Sequence, residues 1–394
     1  MRRAEPMGRP IIYMDHGATT PLRPEVRAAM AAVDQSAWGN PGSIHAAGRV
    51  ARDAVEKARI DVASLLGCLP EEIVFTSGGT EGDNLAIRGL AQQARARARR
   101  SHIVSSPIEH PAVLGALAAL RREGFTVTTL PVGARGEIAA EALADALSDA
   151  TALVTLATAN HEIGNCFPIA ELAAIARARG ALFHTDAVQA AGKMALASVI
   201  AGVDAATVSA HKIHGPKGVG ALFVRRGVEL GPLIAGGPQE RGRRAGTENV
   251  AGIVGFGVAC RLAAAELAEV SARMARLRDR LESRLCAIPG ARVHGTPSNR
   301  VASVTNVGFA GVDGQLALVS LDLEGVCVST GAACASGSLE PSAVLLALGS
   351  SPGAAREGLR LSLGRDNTED EVDRVAALMT DIVARIRSAG DDEK

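Results

Sequence analysis

Chemistry in this chain is most visible around one lysine. The stretch Asp204-Ala-Ala-Thr-Val-Ser209-Ala-His211-Lys212-Ile-His214-Gly-Pro-Lys217-Gly-Val-Gly220 reads as a strand, a loop and a Gly/Pro-rich turn. Lys212 sits at the strand's exit, where α/β folds place their reactive groups. A lysine in a dry site gives up its proton more readily and can attack a carbonyl carbon. Lysine is scarce here: positions 57, 193, 212, 217 and 394 hold all of it, and arginine supplies the remaining positive charge. The plainer reading of this motif alone is a lysine on a surface loop. Ser209 and His211 flank it as candidate phosphate donors. His211 and His214 are spaced like metal ligands, but no third ligand stands nearby, and no metal is expected.

Three further segments complement that lysine. In Thr76-Ser-Gly-Gly-Thr80-Glu81, two glycines between a strand and a helix allow a sharp turn. The following helix then aims free N–H groups and its positive end at an anion such as a phosphate. An ordinary capped turn accounts for the same residues. The strand Ala181-Leu-Phe-His184-Thr-Asp186 ends in a carboxylate, which is either a helix cap or a functional acid. A pyridoxal ring needs such an acid at its nitrogen, and Gln189 stands within reach of that ring's phenolic oxygen. Finally, Cys334 lies in Gly331-Ala-Ala-Cys334-Ala-Ser-Gly-Ser-Leu-Glu-Pro341, among small residues suited to an accessible thiol. Cys327, inside a β-like run, reads as a core residue. The other four cysteines are assigned to packing.

These residues need a scaffold. Strand-like runs near Ile73–Thr76, His102–Ser105, Phe125–Leu130, Ala152–Thr158, Ala181–Thr185, Ala206–Ser209 and Val219–Val224 alternate with Ala-rich helical stretches. That alternation predicts an α/β protein with a mostly parallel central sheet. A long helix follows, over Val250–Cys286, with the stripe Leu267, Val270, Met274, Leu277, Leu281. It reads as a bridge between domains. Beyond Pro289, runs at Val301–Phe309, Gly314–Leu323, Val326–Ser329 and Leu359–Leu363 suggest a smaller α+β C-terminal domain. The last helix opens at Thr368 with a capping box to Glu371. The arginines at 95, 97, 99 and 100 read as a solvated helix end.

The bulk numbers set limits. At 394 residues the chain is long enough for about two domains, and 47% apolar residues exclude disorder. The net charge is zero, so nothing points to nucleic acid or to an anionic membrane. The cysteines show no zinc spacing and are too few for a disulfide framework. The N-terminus lacks the apolar stretch of a signal peptide, and no apolar run approaches the ~20 residues of a membrane span. A cytoplasmic enzyme with a free thiol is the expectation.

Taken together, the segments resemble the class V aminotransferase superfamily of fold-type I pyridoxal enzymes, and within it the cysteine desulfurases of the NifS/IscS group. The likeness runs from Tyr13-Met-Asp-His-Gly-Ala-Thr-Thr20 to Leu359-Arg-Leu-Ser-Leu-Gly-Arg365. It includes Gly39-Asn-Pro-Gly-Ser-Ile-His45, Glu109-His110-Pro-Ala-Val113, Arg244-Ala-Gly-Thr247 and Cys334 through Ser342. It implies the aspartate-aminotransferase-like fold of pyridoxal 5′-phosphate (PLP)-dependent transferases. The large cofactor-binding domain would span 20–262, and residues 1–19 plus 263–394 would form a small domain carrying the cysteine loop. The resemblance further implies that Lys212 bonds the cofactor's aldehyde. Gly79, Thr80, Ser209 and His211 would hold its phosphate, helped by Thr247 from the partner of a homodimer. His110 would stack on the ring, Asp186 would pair with its nitrogen and Gln189 would contact its oxygen. Arg360 and Asn160 would bind the substrate, and Cys334 would take sulfur from L-cysteine and pass it to an acceptor such as an iron–sulfur scaffold protein.

Two departures stand out. Asn160-His161-Glu-Ile-Gly replaces the family's usual Asn-Asn-Glu, so His161 inherits a place at the cofactor or substrate. The chain also ends soon after its last helix, which leaves scaffold docking through a longer tail without a basis. Transamination of a small amino acid, selenocysteine lysis and a non-catalytic partner-binding role are the competing functions.

Overall fold

Most of the expected strands form where β-branched and apolar residues concentrate. The computed structural model describes residues 11–331 and 340–391. Its strands are β1 (Ile12–Tyr13), β2 (Ile73–Thr76), β3 (His102–Ser105), β4 (Thr126–Thr129), β5 (Thr151–Thr155), β6 (Leu182–Asp186), β7 (Ala205–Ser209), β8 (Gly220–Val224), β9 (Ala291–Val293), β10 (Val304–Phe309), β11 (Val326–Cys327) and β12 (Gly358–Ser362). Seven of them make one sheet in the order β2-β8-β7-β6-β5-β3-β4. β3 through β7 pair in parallel. Helices separate them in the chain, as parallel crossovers require.

β8 runs antiparallel to both β7 and β2. The reason is local: residues 210–219, which carry Lys212, are too short to hold a crossover helix. Close packing fixes the neighbouring turn. A Cβ on Gly220 would lie 2.7 Å from the Val208 carbonyl and 2.9 Å from the Gly78 backbone. A Cβ on Gly82 would lie 2.6 Å from Thr207 Cγ2, so the helix Gly79–Ala98 lies directly against β7.

A second, antiparallel sheet has the order β12-β10-β9, and β1 pairs in parallel with β11. Two main apolar cores result. Ile253, Phe256 and Ala259 of the helix Val250–Leu285 enter the core of the large sheet. Leu277, Leu281 and Leu285 of the same helix enter the core beneath β10 and β12. By length and composition this helix is apolar enough to cross a membrane, as a buried core helix also is. Packing into both cores accounts for that composition, and the flank carries the Arg261–Asp61 ion pair at 2.7 Å. At the last helix, Thr368 Oγ1 accepts from Glu371 N at 3.2 Å while Thr368 N donates to Glu371 Oε2 at 3.1 Å, the expected capping box.

Two smaller expectations need correction. The arginine cluster is solvated only in part: Arg97 and Arg99 are exposed, whereas Arg95 lies 4.3 Å from the Phe125 ring centroid and Arg100 donates to the carbonyls of Thr151, Arg179 and Gly180. Cys286 is exposed at the end of the long helix, so packing does not explain it.

Candidate active site

The carboxyl ends of β2, β6 and β7 converge. β2 stops at Thr76, and Gly78 then adopts φ 151°, a conformation that favours glycine. The next helix begins at Gly79 and points its N-terminus at the end of β7. There, Ser209 Oγ is buried and finds no hydrogen-bond partner among the described residues. An unmet buried hydroxyl costs about 1–3 kcal/mol, and a phosphate at this helix start would satisfy it. Gly79, Thr80, Ser209 and His211 all line the same cavity, of about 210 Å³.

Lys212, His110, Asp186, Gln189, His161 and Arg360 line it too. Lys212 Nζ donates to the carbonyls of Gly17 at 2.5 Å and Ala18 at 2.8 Å. His110 caps the helix Pro111–Arg122, its Nδ1 accepting from Ala112 N at 3.1 Å. That bond fixes the tautomer: the neutral ring carries its proton on Nε2. Burial lowers the His110 pKa, with Asp186 and Lys212 pulling in opposite directions. Asp186 Oδ1 accepts from Val188 N at 2.9 Å, yet burial still raises its pKa. Asp83 stands beside it, raised well above the carboxylate range by burial and by Asp186. Asp83, His110 and Asp186 place their polar atoms within 4.8 Å of one another, so a cationic ring nitrogen would stabilise this end.

Arg360 is 2% exposed and held from three sides. It donates to Asp15 Oδ1 at 2.8 Å and to the carbonyls of His161 at 2.9 Å and Gly331 at 3.0 Å. Its Nε finds no partner among the described residues, which leaves a donor for a carboxylate. His161 lies edge-on to His110, ring centroids 5.3 Å apart, and burial drives its pKa well below 6.5.

Not every expected residue reaches the cavity. Asn160 braces two loops, donating to Ile108 O at 2.8 Å in the loop after β3 and accepting from Glu162 N and Ile163 N in its own. It shapes the loop, and the expectation that it touches substrate is corrected. Thr247 is exposed and lies outside this cavity. Arg244, three residues before it, is anchored to Glu81 at 2.8 Å. Cys334 lies outside the described residues. Sequence reading missed Asp15 and Asp83. Asp15 sat unremarked inside the motif Tyr13 to Thr20, and Asp83 follows the phosphate turn within one helical turn.

A profile of the aminotransferase class-V family matches residues 12–375. The chain belongs to this family. A protein named cysteine desulfurase from Trichormus azollae is 47% identical over 96% of this chain and 94% of its own length. One named cysteine desulfurase IscS from Methanosarcina thermophila is 46% identical over 96% and 93%. A solved structure titled NifS-like protein superposes with a TM-score of 0.89 at 37% identity, covering 95% of this chain and 99% of that one. The aspartate-aminotransferase-like fold expected from the sequence is thereby shown, and with it the family's dependence on PLP. The donor set fits that cofactor: an amine for its aldehyde, a helix start and an unmet hydroxyl for its phosphate, and a carboxylate for its ring nitrogen.

Proposed function

We propose that this protein is a cysteine desulfurase, converting L-cysteine to L-alanine and leaving a persulfide on Cys334. The observation that carries the reading is the convergence of Lys212, Asp186, Ser209 and Arg360 on one cavity, in a chain whose relatives bear that name.

Bound PLP would supply an aldehyde for Lys212 and an electron-accepting ring. Lys212 would hold the cofactor, and its amine is placed to remove the substrate's α-proton. Gly79, Thr80, Ser209 and His211 would hold the phosphate, and Asp186 would pair with the ring nitrogen. Arg360 grips the substrate carboxylate with the donors that Asp15 and the two carbonyls leave over. His110, with its proton on Nε2, stands ready to carry a proton to or from the reacting atoms. The thiolate of Cys334 attacks the substrate sulfur. An S–S bond forms, the C–S bond breaks, and its electron pair goes to the carbon, which takes a proton to give alanine.

A homodimer completes the site in this reading. Thr247 is exposed in its own chain, and Trp38 and Ile44, 76% and 86% exposed, offer apolar surface for a partner. None of the described residues lining the cavity is a cysteine, so the persulfide is consumed by an acceptor thiol such as that of an iron–sulfur scaffold protein. A reducing, cytoplasmic setting accords with five free cysteines among the described residues. The division into 20–262 and 1–19 plus 263–394 stays a proposal: Ile12, Met14 and residues from Leu277 to Val383 share one core, while Val301, Val304, Val344, Leu345, Leu348 and Ala355 pack into the core of the large sheet.

Intact mass after incubation with cysteine tests the reading. One added sulfur, mapping to Cys334, is expected. Cys334→Ser should abolish sulfur transfer while the cofactor's visible absorption persists. Sulfur transfer that survives this change would favour another acceptor.

A further inference from the structure

Lys193 follows Gln189 by four residues and plays no part in the site described so far. Its Nζ donates to Gln189 Oε1 at 2.8 Å. Gln189 Nε2 in turn donates to the Gly17 carbonyl at 2.9 Å, the same oxygen that accepts from Lys212 Nζ at 2.5 Å. The two ends of an amide have nearly the same shape, but its partners here decide the orientation. An ammonium only donates, so Nζ requires the amide oxygen. A backbone carbonyl only accepts, so Gly17 requires the amide nitrogen. The second N–H of Gln189 then remains for the cavity that Gln189 lines.

We propose that Lys193 is a positioning residue: it locks Gln189 so that only an N–H donor is offered to the cofactor's phenolic oxygen, beside Lys212. This deepens the PLP reading and rests on it. Lys193 lines a narrow space of about 60 Å³ behind Lys212, with Met274, Ala259 and Leu363 on its walls. Lys212, Arg360 and Cys166 act on its charge, and His16, Arg23, His214, Glu266 and Arg365 line the same space. Burial, then Lys212 and Arg360, bring its amine down to about 7, with Cys166 opposing. A neutral amine still donates to Oε1, and the Gly17 carbonyl still requires Nε2, so the orientation persists across neutral pH.

A donor at the phenolic oxygen stabilises that oxygen's deprotonated form. It therefore lowers the proton affinity of the nitrogen joining Lys212 to the cofactor. Without the lock, Gln189 can turn its oxygen inward, and that affinity rises. The experiment is a visible-absorbance pH titration of the holoenzyme. Lys193→Met should bind PLP but titrate about one pH unit higher than the wild type, a tenfold change in proton affinity. Lys193→Gln fills the space while donating no obligatory orientation, and the same upward shift is expected should the methionine variant fold poorly. In a Gln189→Leu background, Lys193→Met should move the midpoint by clearly less. Unchanged midpoints in both single variants overturn the proposal, as does a full shift in the Gln189→Leu background. A wild-type chain that takes up no PLP overturns the cofactor reading and this one with it.

Discussion

The two ends of the cavity are built differently. At the cofactor end, Asp186, Ser209, Lys212 and the helix start at Gly79 all sit at or just beyond strand ends of one sheet. Asp186 and the helix start are fixed by their own strands and near neighbours, and only the Lys212 amine reaches to distant groups, the Gly17 and Ala18 carbonyls. At the substrate end, Arg360 on β12 is held by Asp15, His161 and Gly331. Those four positions are scattered over the chain, and β12 belongs to the second sheet. The cofactor end is thus positioned mostly by local geometry, the substrate end by how separate elements pack together. Substitutions at the first should act directly and on their own residue's chemistry. Substitutions at the second should act through one another.

The largest expected effect lies at the cofactor end. Lys212→Ala removes both the covalent link and the base, so kcat should fall by at least about 10³-fold. Borohydride reduction should no longer fix the cofactor to the protein. Covalent capture in this variant would show that another amine does the work, and would break the contrast at its strongest point.

Arg360→Lys should come next. It keeps the charge but loses the planar fork that Asp15 and two carbonyls orient. KM for cysteine should rise by about 10²-fold, equal to ~2.7 kcal/mol, with cofactor absorption unchanged. A variant that instead loses the cofactor would mean that the two ends are not separable.

The same contrast explains what could be read from the sequence. The lysine at a strand exit, the Gly-Gly turn before a helix and the acid closing a strand each carry their meaning within six or seven residues. All three appear at the cavity, and the capping box at Thr368 forms at the last helix. Asp15 and its grip on Arg360 could not be read, because 345 positions separate them and only packing brings them together. Asn160 misled for the opposite reason. Its type suits a ligand contact, but the side chain serves two amides of its own loop and the Ile108 carbonyl of a distant one. The antiparallel β8 was also illegible as a direction, since a strand pattern carries no sign of which way it runs.

Asp15→Asn sharpens the point more gently. The amide still accepts from Arg360, but the counter-charge is gone, leaving the guanidinium to be oriented by two carbonyls. A rise in KM of about fivefold to tenfold is expected, near the value of one charge-assisted hydrogen bond. Arg360→Lys and Asp15→Asn should be non-additive, because both act on one contact. Strict additivity in the double variant would show that Asp15 serves some other group.

His161 should show the smallest effect, and its sign follows from burial. Its imidazole is driven well below 6.5, first by desolvation, then by His110, Arg360 and Lys212. It is therefore neutral at working pH, and an asparagine offers the same neutral hydrogen bonding. His161→Asn should leave kcat/KM at pH 7.5 within about threefold of the wild type. Stability should respond to pH instead. The folded state refuses a proton that the unfolded chain accepts near pH 6.5, so His161 costs stability as pH falls below that value. The cost grows by up to about 1.4 kcal/mol per pH unit until the folded ring also titrates. The asparagine variant escapes it, so its Tm relative to the wild type should climb between pH 7.5 and pH 5. A Tm difference that stays flat over that range would mean that His161 can take up its proton in the folded site, and would place a titrating imidazole at the substrate end after all.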